Sequence, residues 1–400
     1  MKNIAISKTK ENSYEFLPFA LPETSDEEAN EAADTILSGW LTTGPKTKKF
    51  EEAFASYCGA KYALAVNSAT AGLHLALEAE GVQNGDLIIT TPYTFTASAE
   101  VIRYLGADPL FVDIESKTFN IDPFLIVRKI EALGLERQRL KAIIPVHFGG
   151  QACNMFAIKE IAGICHLPIV EDAAHALPCT YNNQTVGTIG DATAFSFYVT
   201  KTLATGEGGM VTTNSHKMAE RIKVMRLHGI SRDIWDRYTS DQPSWYYEVV
   251  APGFKYNMSD IMAAIGIHQL AKVERFQKRR EAIAKIYNEA FADLPLKTPF
   301  VDRTEDVHSW HLYVIKLELE KIKITRDEFI HKMADNGIGT SVHFIPLHLH
   351  PYWRNRYGLK PDDFPISLDC YQRVVSLPIY SKMNDSDVER VVAAVRRILV

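Results

Sequence analysis

The chain has 400 residues, 46% of them hydrophobic and 23% charged, with a formal net charge of -5; that is apolar material enough for one large core or for a large and a small domain. The mild acidity, with no Lys or Arg cluster interleaved with aromatics, excludes a nucleic-acid-binding face, and five scattered cysteines without a C-x-x-C pair exclude a disulfide framework or a zinc knuckle. The N-terminus has no apolar signal core and no run approaches the ~18 apolar residues of a membrane helix, so the expectation is a cytoplasmic protein of small-molecule chemistry that stays out of the membrane.

Residues 1–17 read as a polar arm. Ser25 followed by Glu28 has the capping-box spacing and predicts a helix ending at Gly39. A turn of small residues, Thr42, Thr43, Gly44 and Pro45, leads into a second helix with Phe50, Phe54 and Tyr57 on one face; the turn reads equally as a linker or a ligand-facing loop. From Lys61 the pattern is strand, loop, helix, repeated, with seven strands predicted at 62–66, 87–90, 109–112, 142–146, 169–171, 192–197 and 210–212. Most are apolar throughout rather than alternating, which predicts an α/β fold: a mostly parallel seven-stranded sheet flanked by helices. Ligands in such sheets collect at the carboxyl ends of the strands.

Residues 231–257, rich in aromatics and turn formers, read as a long functional loop. A long helical pattern follows, with Ile283, Ile286, Tyr287 and Ala290 on one face, bridging to a smaller C-terminal α/β domain. There, strand-like runs at 311–319, 340–345 and 374–380 alternate with helices around 325–336 and 385–399. The expected division is an arm (1–17), a large domain (18–272) and a small one (273–400).

The stretch 191–213, DATAFSFYVTKTLATGEGGMVTT, sets Lys201 on the bend between two strands. A loop lysine is ordinarily a solvated charge, but the residues after other strands supply the rest of a pyridoxal phosphate site: a carboxylate to keep a pyridine nitrogen protonated, and a phosphate cradle. Asp172 follows an apolar strand, and opposite a ring N–H⁺ it would make the ring an electron sink. His175 is placed to contact the ring hydroxyl, or serves as a structural histidine. Ser68, Ala69 and Thr70 stand at a strand-to-helix junction that favours an anion, a pattern that also fits an ordinary serine N-cap. Phe95, with Tyr93 as the alternative, is the candidate to stack on the ring, and Ser196 adds a hydroxyl to the cradle. Lys201 then has a task that needs a primary amine: adding to an aldehyde and shuttling a proton.

NSATAGLHLAL, TPYTFTASAEVIRYLGADPLFVDI, VEDAAHAL, SFYVTKTLATGEGGM, GFKYNMSDIMAAIGIHQL and HFIPLHLHPYW, in that order, resemble the sugar-nucleotide aminotransferases of the DegT/StrS family, which have the type I (aspartate aminotransferase) pyridoxal phosphate fold. The resemblance runs from about Phe16 to the C-terminus. It implies Lys201 as the Schiff-base lysine, Asp172 as partner of the pyridine nitrogen, His175 beside the ring hydroxyl, Ala69, Thr70 and Ser196 on the phosphate, and Phe95 on the ring. Asn257 matches an asparagine given to the phosphate of the neighbouring subunit, which implies a homodimer with shared active sites. SGWLTTGP and HFIPLHLHPYW resemble substrate-proximal parts of enzymes that aminate C4 of a UDP-linked 4-keto sugar, making Thr43, Gly44, His343 and His348 substrate candidates. The closely spaced histidines lack a carboxylate or cysteine at ligand spacing, so no metal is expected.

The implied reaction takes an amino group from L-glutamate, through pyridoxamine phosphate, to a nucleotide-linked keto sugar, for amino-sugar or polysaccharide biosynthesis. Three rivals stand beside it. One is amination at C3. Another is a pyridoxamine phosphate-dependent sugar-nucleotide dehydratase, whose relatives carry histidine at the lysine position. The third is a non-catalytic regulator on the same fold.

Overall fold

Ser25 caps helix α1 (Asp26–Leu37) in the predicted manner, its backbone N–H and its hydroxyl both donating to the Glu28 carboxylate at 2.8 and 2.7 Å. The computed structural model describes residues 16–231 and 247–400; residues 1–15 of the expected arm and 232–246 of the expected loop lie outside the described residues. Helix α2 (Pro45–Cys58) begins on a proline and ends on Gly59 in the left-handed conformation, φ 77°, a start and stop that follow from those residues' backbone preferences. It buries Phe50, Phe54 and Cys58. Tyr57, expected on that face, is half-buried and donates its hydroxyl to Glu274 at 2.6 Å, because the four-residue repeat from Phe50 through Phe54 lands on Cys58.

The chain then alternates β1 (Tyr62–Val66), α3 (Ala69–Ala79), β2 (Leu87–Thr90), α4 (Ala97–Tyr104), β3 (Asp108–Phe111), α5 (Pro123–Ala132), β4 (Leu140–Ile143), α6 (Met155–Cys165) and β5 (Val170–Asp172). A small hairpin, β6 (Thr180–Tyr181) and β7 (Gln184–Thr185), precedes β8 (Ala192–Ser196), β9 (Gly209–Thr213) and α7 (His216–Met225). A three-stranded unit, β3-β2-β4, and a four-stranded unit, β5-β8-β9-β1, meet through parallel bridges between Ile143 and Ile169 and between Val146 and Asp172. The result is the expected seven-stranded sheet, β3-β2-β4-β5-β8-β9-β1, parallel except for β9, which runs against both neighbours. Strand β4 stops at Ile143, short of the predicted end. Pro145 lacks an N–H, and the chain continues along β5 through its carbonyl, which accepts from the Asp172 N–H at 2.9 Å.

Under the sheet, Phe54 packs edge-on against Phe195 and Phe197 with ring centroids 5.1 and 5.5 Å apart. Each such fully buried ring contributes about 1.5–3 kcal/mol, and these anchor the strand that runs into Lys201. Helix α8 (Asp260–Ala290) joins two cores. Its first half gives Ala263, Leu270 and Val273 to the core beside the sheet. Its second half gives Ile283, Ala284 and Tyr287 to a core built on the antiparallel sheet β10 (Leu296–Lys297), β11 (Tyr313–Leu317) and β12 (Val374–Leu377). Helices α9 (Arg326–Asp335) and α12 (Asp385–Leu399) cover that sheet, while α10 (Pro351–Tyr357) and α11 (Pro365–Arg373) lie between.

The run at 340–345, expected as a strand, is not one. Only Ser341 bridges to β12, at Ser376. The His343 carbonyl is taken instead by the Tyr93 hydroxyl at 2.9 Å, and the side chains of Ser341, His343 and Phe344 turn into a cavity.

Candidate active site

A cavity of about 600 Å³ lies beyond the carboxyl ends of β1, β2, β5 and β8, and Ser68, Ala69, Thr70, Phe95, Asp172, His175, Ser196, Lys201 and His343 all line it. The sequence places these residues after five separate segments; the sheet brings them together.

The loop carrying Lys201 is closed at its base, where Phe197 N–H donates to the Gly208 carbonyl and Thr205 N–H to the Phe197 carbonyl, each at 2.9 Å. Lys201 N–H in turn donates to the Tyr198 carbonyl at 2.8 Å, so the side chain leaves a tight turn and its amine reaches the cavity. Nζ stands 3.5 Å from Nε2 of His311. Burial disfavours the ammonium and pushes the amine down to about 8; Asp172 opposes that shift and the Arg280 guanidinium adds to it. At pH 7 roughly a tenth of the amine is therefore unprotonated, far more than for a lysine in water.

Asp172 is the last residue of β5, 6% exposed. Its carboxylate accepts from the Ser98 hydroxyl at 2.7 Å and from the Ala174 N–H at 3.1 Å, a pairing that orients it toward the cavity. His175 accepts from the Gly149 N–H on Nδ1 at 3.3 Å. That fixes its tautomer, with the proton on Nε2; burial and the nearby Lys201 charge hold it well below the usual histidine range, so it is a neutral donor. Burial likewise pushes His343 down to about 4, and its Nδ1 lies 2.8 Å from the Ser376 hydroxyl.

The N-terminus of α3 opens on the same space. Ser68 is its N-cap, its hydroxyl accepting from the Ala71 N–H at 3.1 Å, so the ordinary cap is present, and the positive end of the helix dipole faces the cavity beside it. The close approach of β9 depends on a missing side chain: a Cβ at Gly209 would meet the Ser68 carbonyl carbon at 2.6 Å and the Ala69 nitrogen at 2.7 Å. Phe95 stands at the mouth, 62% exposed. Tyr93, its alternative, is fully buried and committed to the His343 carbonyl.

The other candidates lie apart. Thr43 and Asn257 sit together, Asn257 Nδ2 donating to Thr43 Oγ1 at 2.7 Å, while the Thr43 hydroxyl donates to the Met258 carbonyl at 2.5 Å. Gly44 donates its N–H to Asp260 at 2.8 Å. None of these lines the cavity with Lys201. His348 is fully buried, its ring 4.9 Å from that of Phe364, and it also stands outside. Sequence reasoning missed Ser98 and His311. The second histidine of HSWHL carried a signal in its polarity at the head of an apolar run; Ser98 carried none.

An amine partly neutral at pH 7, a hydrogen-bonded carboxylate, a neutral imidazole donor and a helix N-terminus on one cavity are the donor set that pyridoxal phosphate needs. The fit is chemical as well as spatial: the amine suits the aldehyde, the carboxylate the pyridine nitrogen, the imidazole the ring hydroxyl and the helix N-terminus the phosphate.

Comparison with known proteins agrees. The model of the DegT/DnrJ/EryC1/StrS aminotransferase family matches residues 22–396. MJ1066 of Methanocaldococcus jannaschii is 53% identical over 385 residues, covering 96% of this chain and 98% of that protein. The spore coat polysaccharide biosynthesis protein SpsC of Bacillus subtilis is 51% identical over 386 residues, covering 96% and 97%. Among solved structures, Spr1654 of Streptococcus pneumoniae in its PMP form superposes with a TM-score of 0.88 at 32% identity, over 96% of this chain and 98% of that one. Helicobacter pylori PseC, an aminotransferase involved in the biosynthesis of pseudoaminic acid, gives a TM-score of 0.87 at 27% identity, over 96% and 99%. On this evidence the chain belongs to the DegT/DnrJ/EryC1/StrS aminotransferase family.

Proposed function

We propose that this protein is a pyridoxal phosphate-dependent aminotransferase that moves an amino group from L-glutamate to C4 of a UDP-linked 4-keto sugar, for amino-sugar or polysaccharide biosynthesis in the cytoplasm. The observation that carries the reading is the meeting of Lys201, Asp172 and the N-terminus of α3 on one cavity. The relatives support it: Spr1654 was solved in PLP and PMP forms, and SpsC is a polysaccharide biosynthesis protein.

When bound, the cofactor supplies an electron sink and holds the amino group in transit between its pyridoxal and pyridoxamine forms. Lys201 would hold the cofactor through its amine and, when free of it, would move the proton at the reacting carbon. Asp172, held by Ser98 and the Ala174 N–H, would keep the pyridine nitrogen protonated. His175, with its proton on Nε2, would donate to the ring oxygen. Ser68, Ala69, Thr70 and Ser196 would bind the phosphate, Phe95 would cover the ring, and His343 would face the sugar.

Thr43, Gly44 and Asn257 stand outside their own chain's cavity, and this supports the homodimer in which they serve the partner's site. His348, fully buried against Phe364, is assigned to shaping the 341–353 segment rather than to touching the sugar. The change of core along α8, after Val273 and before Ile283, supports a division near residue 273 between a large domain at 18–272 and a small one at 273–400; the arm proposed at 1–17 rests on the sequence alone.

The visible spectrum of the purified protein tests the reading. The band of lysine-bound cofactor should be bleached by L-glutamate and restored by a UDP-4-keto sugar. A protein with no such band, or one whose band glutamate leaves unchanged, would sink it.

A further inference from the structure

The segment His308–Leu312 is gripped from three sides. From α8, Gln277 donates to the His308 carbonyl, at 2.5 Å, and Arg280 Nη1 to the carbonyls of Trp310 at 3.2 Å and Ile379 at 2.6 Å. From the loop after β4, the Gly150 carbonyl accepts from the Ser309 N–H at 2.9 Å and the Gly149 carbonyl from the Leu312 N–H at 3.1 Å. Gly150 has to be a glycine there: its φ is +107°, and a Cβ would lie 2.0 Å from the Ser309 hydroxyl. Ser309 also donates to the His175 carbonyl at 2.5 Å. A loop fixed at so many points holds its one cavity-facing imidazole, that of His311, in place.

His311 is 7% exposed. Its ring lies 4.4 Å from that of His175, and its Nε2 is 3.5 Å from the Lys201 amine, at the outer edge of hydrogen-bond range. Its Nδ1 is buried without a partner. Burial, with the charges of Lys201 and Arg280, holds the ring well below the usual histidine range, so it is neutral and offers one acceptor nitrogen. The amine always has a hydrogen to donate, and Nε2 is the side-chain atom within reach.

We propose that His311 is a catalytic residue of this site, the acceptor that receives the Lys201 amine whenever that amine is not bonded to the cofactor and keeps it aimed for its return. Arg280, Gln277 and Gly150 are positioning residues that act through it. The inference rests on the reading of Lys201 as the cofactor-bearing amine. In cofactor loading, the neutral lysine amine would bond to the aldehyde carbon and the carbonyl oxygen would leave as water with the two amine protons; in turnover the lysine would bond to that same carbon and the product amine would leave with the proton the lysine gives up. Nothing is oxidised or reduced. An amine without its acceptor samples more rotamers and meets the aldehyde less often, so the effect falls on the rate of bond formation more than on occupancy at equilibrium.

The test is stopped-flow mixing of cofactor-free protein with pyridoxal phosphate, followed by borohydride reduction and peptide mapping. His311→Phe should slow adduct formation about tenfold, with equilibrium occupancy within about threefold of wild type, and His311→Gln, which restores an acceptor, should recover most of the rate. Unchanged melting of the variants controls for folding. Adduct formation by His311→Phe at the wild-type rate, mapped to Lys201, overturns the inference and leaves the reading of Lys201 intact. A reduced adduct on any other lysine in the wild-type protein overturns that reading instead.

Discussion

The hydroxyl of Ser98, on α4, donates to the carboxylate of Asp172, at the end of β5, across 2.7 Å of fully buried space. The same hydroxyl lies 2.8 Å from that of Thr94, so the carboxylate is the end of a short polar chain rather than a lone buried charge. A hydrogen bond to a charged group is worth about 1.5–3 kcal/mol. Ser98→Ala should therefore lower turnover about 10- to 100-fold while the fold persists. Steady-state rates with saturating cofactor check this; wild-type turnover would show that the Ala174 N–H alone suffices to hold Asp172.

Lys201 in the cofactor-free protein should titrate near pH 8 rather than in the usual lysine range, because burial and Arg280 disfavour its ammonium more than Asp172 favours it. The sign fixes the experiment. Reactivity with an amine-directed reagent is low below pH 8 and rises through it, as the neutral form takes over. Arg280→Met should move that midpoint up and Asp172→Asn should move it down. Competitive labelling read by mass spectrometry follows the single residue; a midpoint above pH 10 in the wild-type protein contradicts the account.

Gly209→Ala should spoil the phosphate end. The added methyl would press on backbone atoms at Ser68 and Ala69, which move only if the first turn of α3 moves, so the helix N-terminus is displaced from the cavity. Affinity for pyridoxal phosphate should fall at least about tenfold, in line with losing one charge-assisted contact. Equilibrium dialysis measures it, and unchanged affinity would remove α3 from the cradle.

Asp260, at the start of α8, accepts from the N–H groups of Gly44, Lys46 and Thr47 and from the Thr47 hydroxyl, at 2.6 to 3.0 Å. It thus caps α2 from a distant helix and fixes the Thr43–Gly44 turn. Asp260→Ala leaves the buried donors of Gly44 and Thr47 and the half-buried Lys46 N–H without this acceptor and should cost about 2–4 kcal/mol. Denaturant unfolding checks the loss, and a change within 0.5 kcal/mol would contradict it.

The sheet was legible because strands buried on both faces are apolar along their whole length, and Leu87–Thr90 and Tyr62–Val66 have the observed bounds to the residue. That Lys201, Asp172 and Ser68 share a cavity was legible because polar residues at or soon after the carboxyl ends of such strands gather at one edge of the sheet. The 340–345 run misled because Thr-Ser-Val-His-Phe-Ile alternates like a strand, while the hydroxyl that takes its carbonyl comes from Tyr93, 250 positions away. His311 gave as its signal only its polarity at the head of a strand-like run, and Ser98 lay inside a helix, where small polar residues are unremarkable. Asn257 was named only by resemblance, and Thr43 otherwise only within a turn that read equally as a linker or a ligand-facing loop: a single chain gives them each other as partners, and no local pattern points to a second chain.

Transfer of ¹⁵N from labelled L-glutamate to a nucleotide-linked keto sugar tests the central claim most directly. The account predicts label at C4 of a UDP-4-keto sugar, an equal amount of 2-oxoglutarate, and no transfer by Lys201→Ala. Label that stays in the amino acid across a panel of keto sugars, or transfer by Lys201→Ala at the wild-type rate, would contradict it.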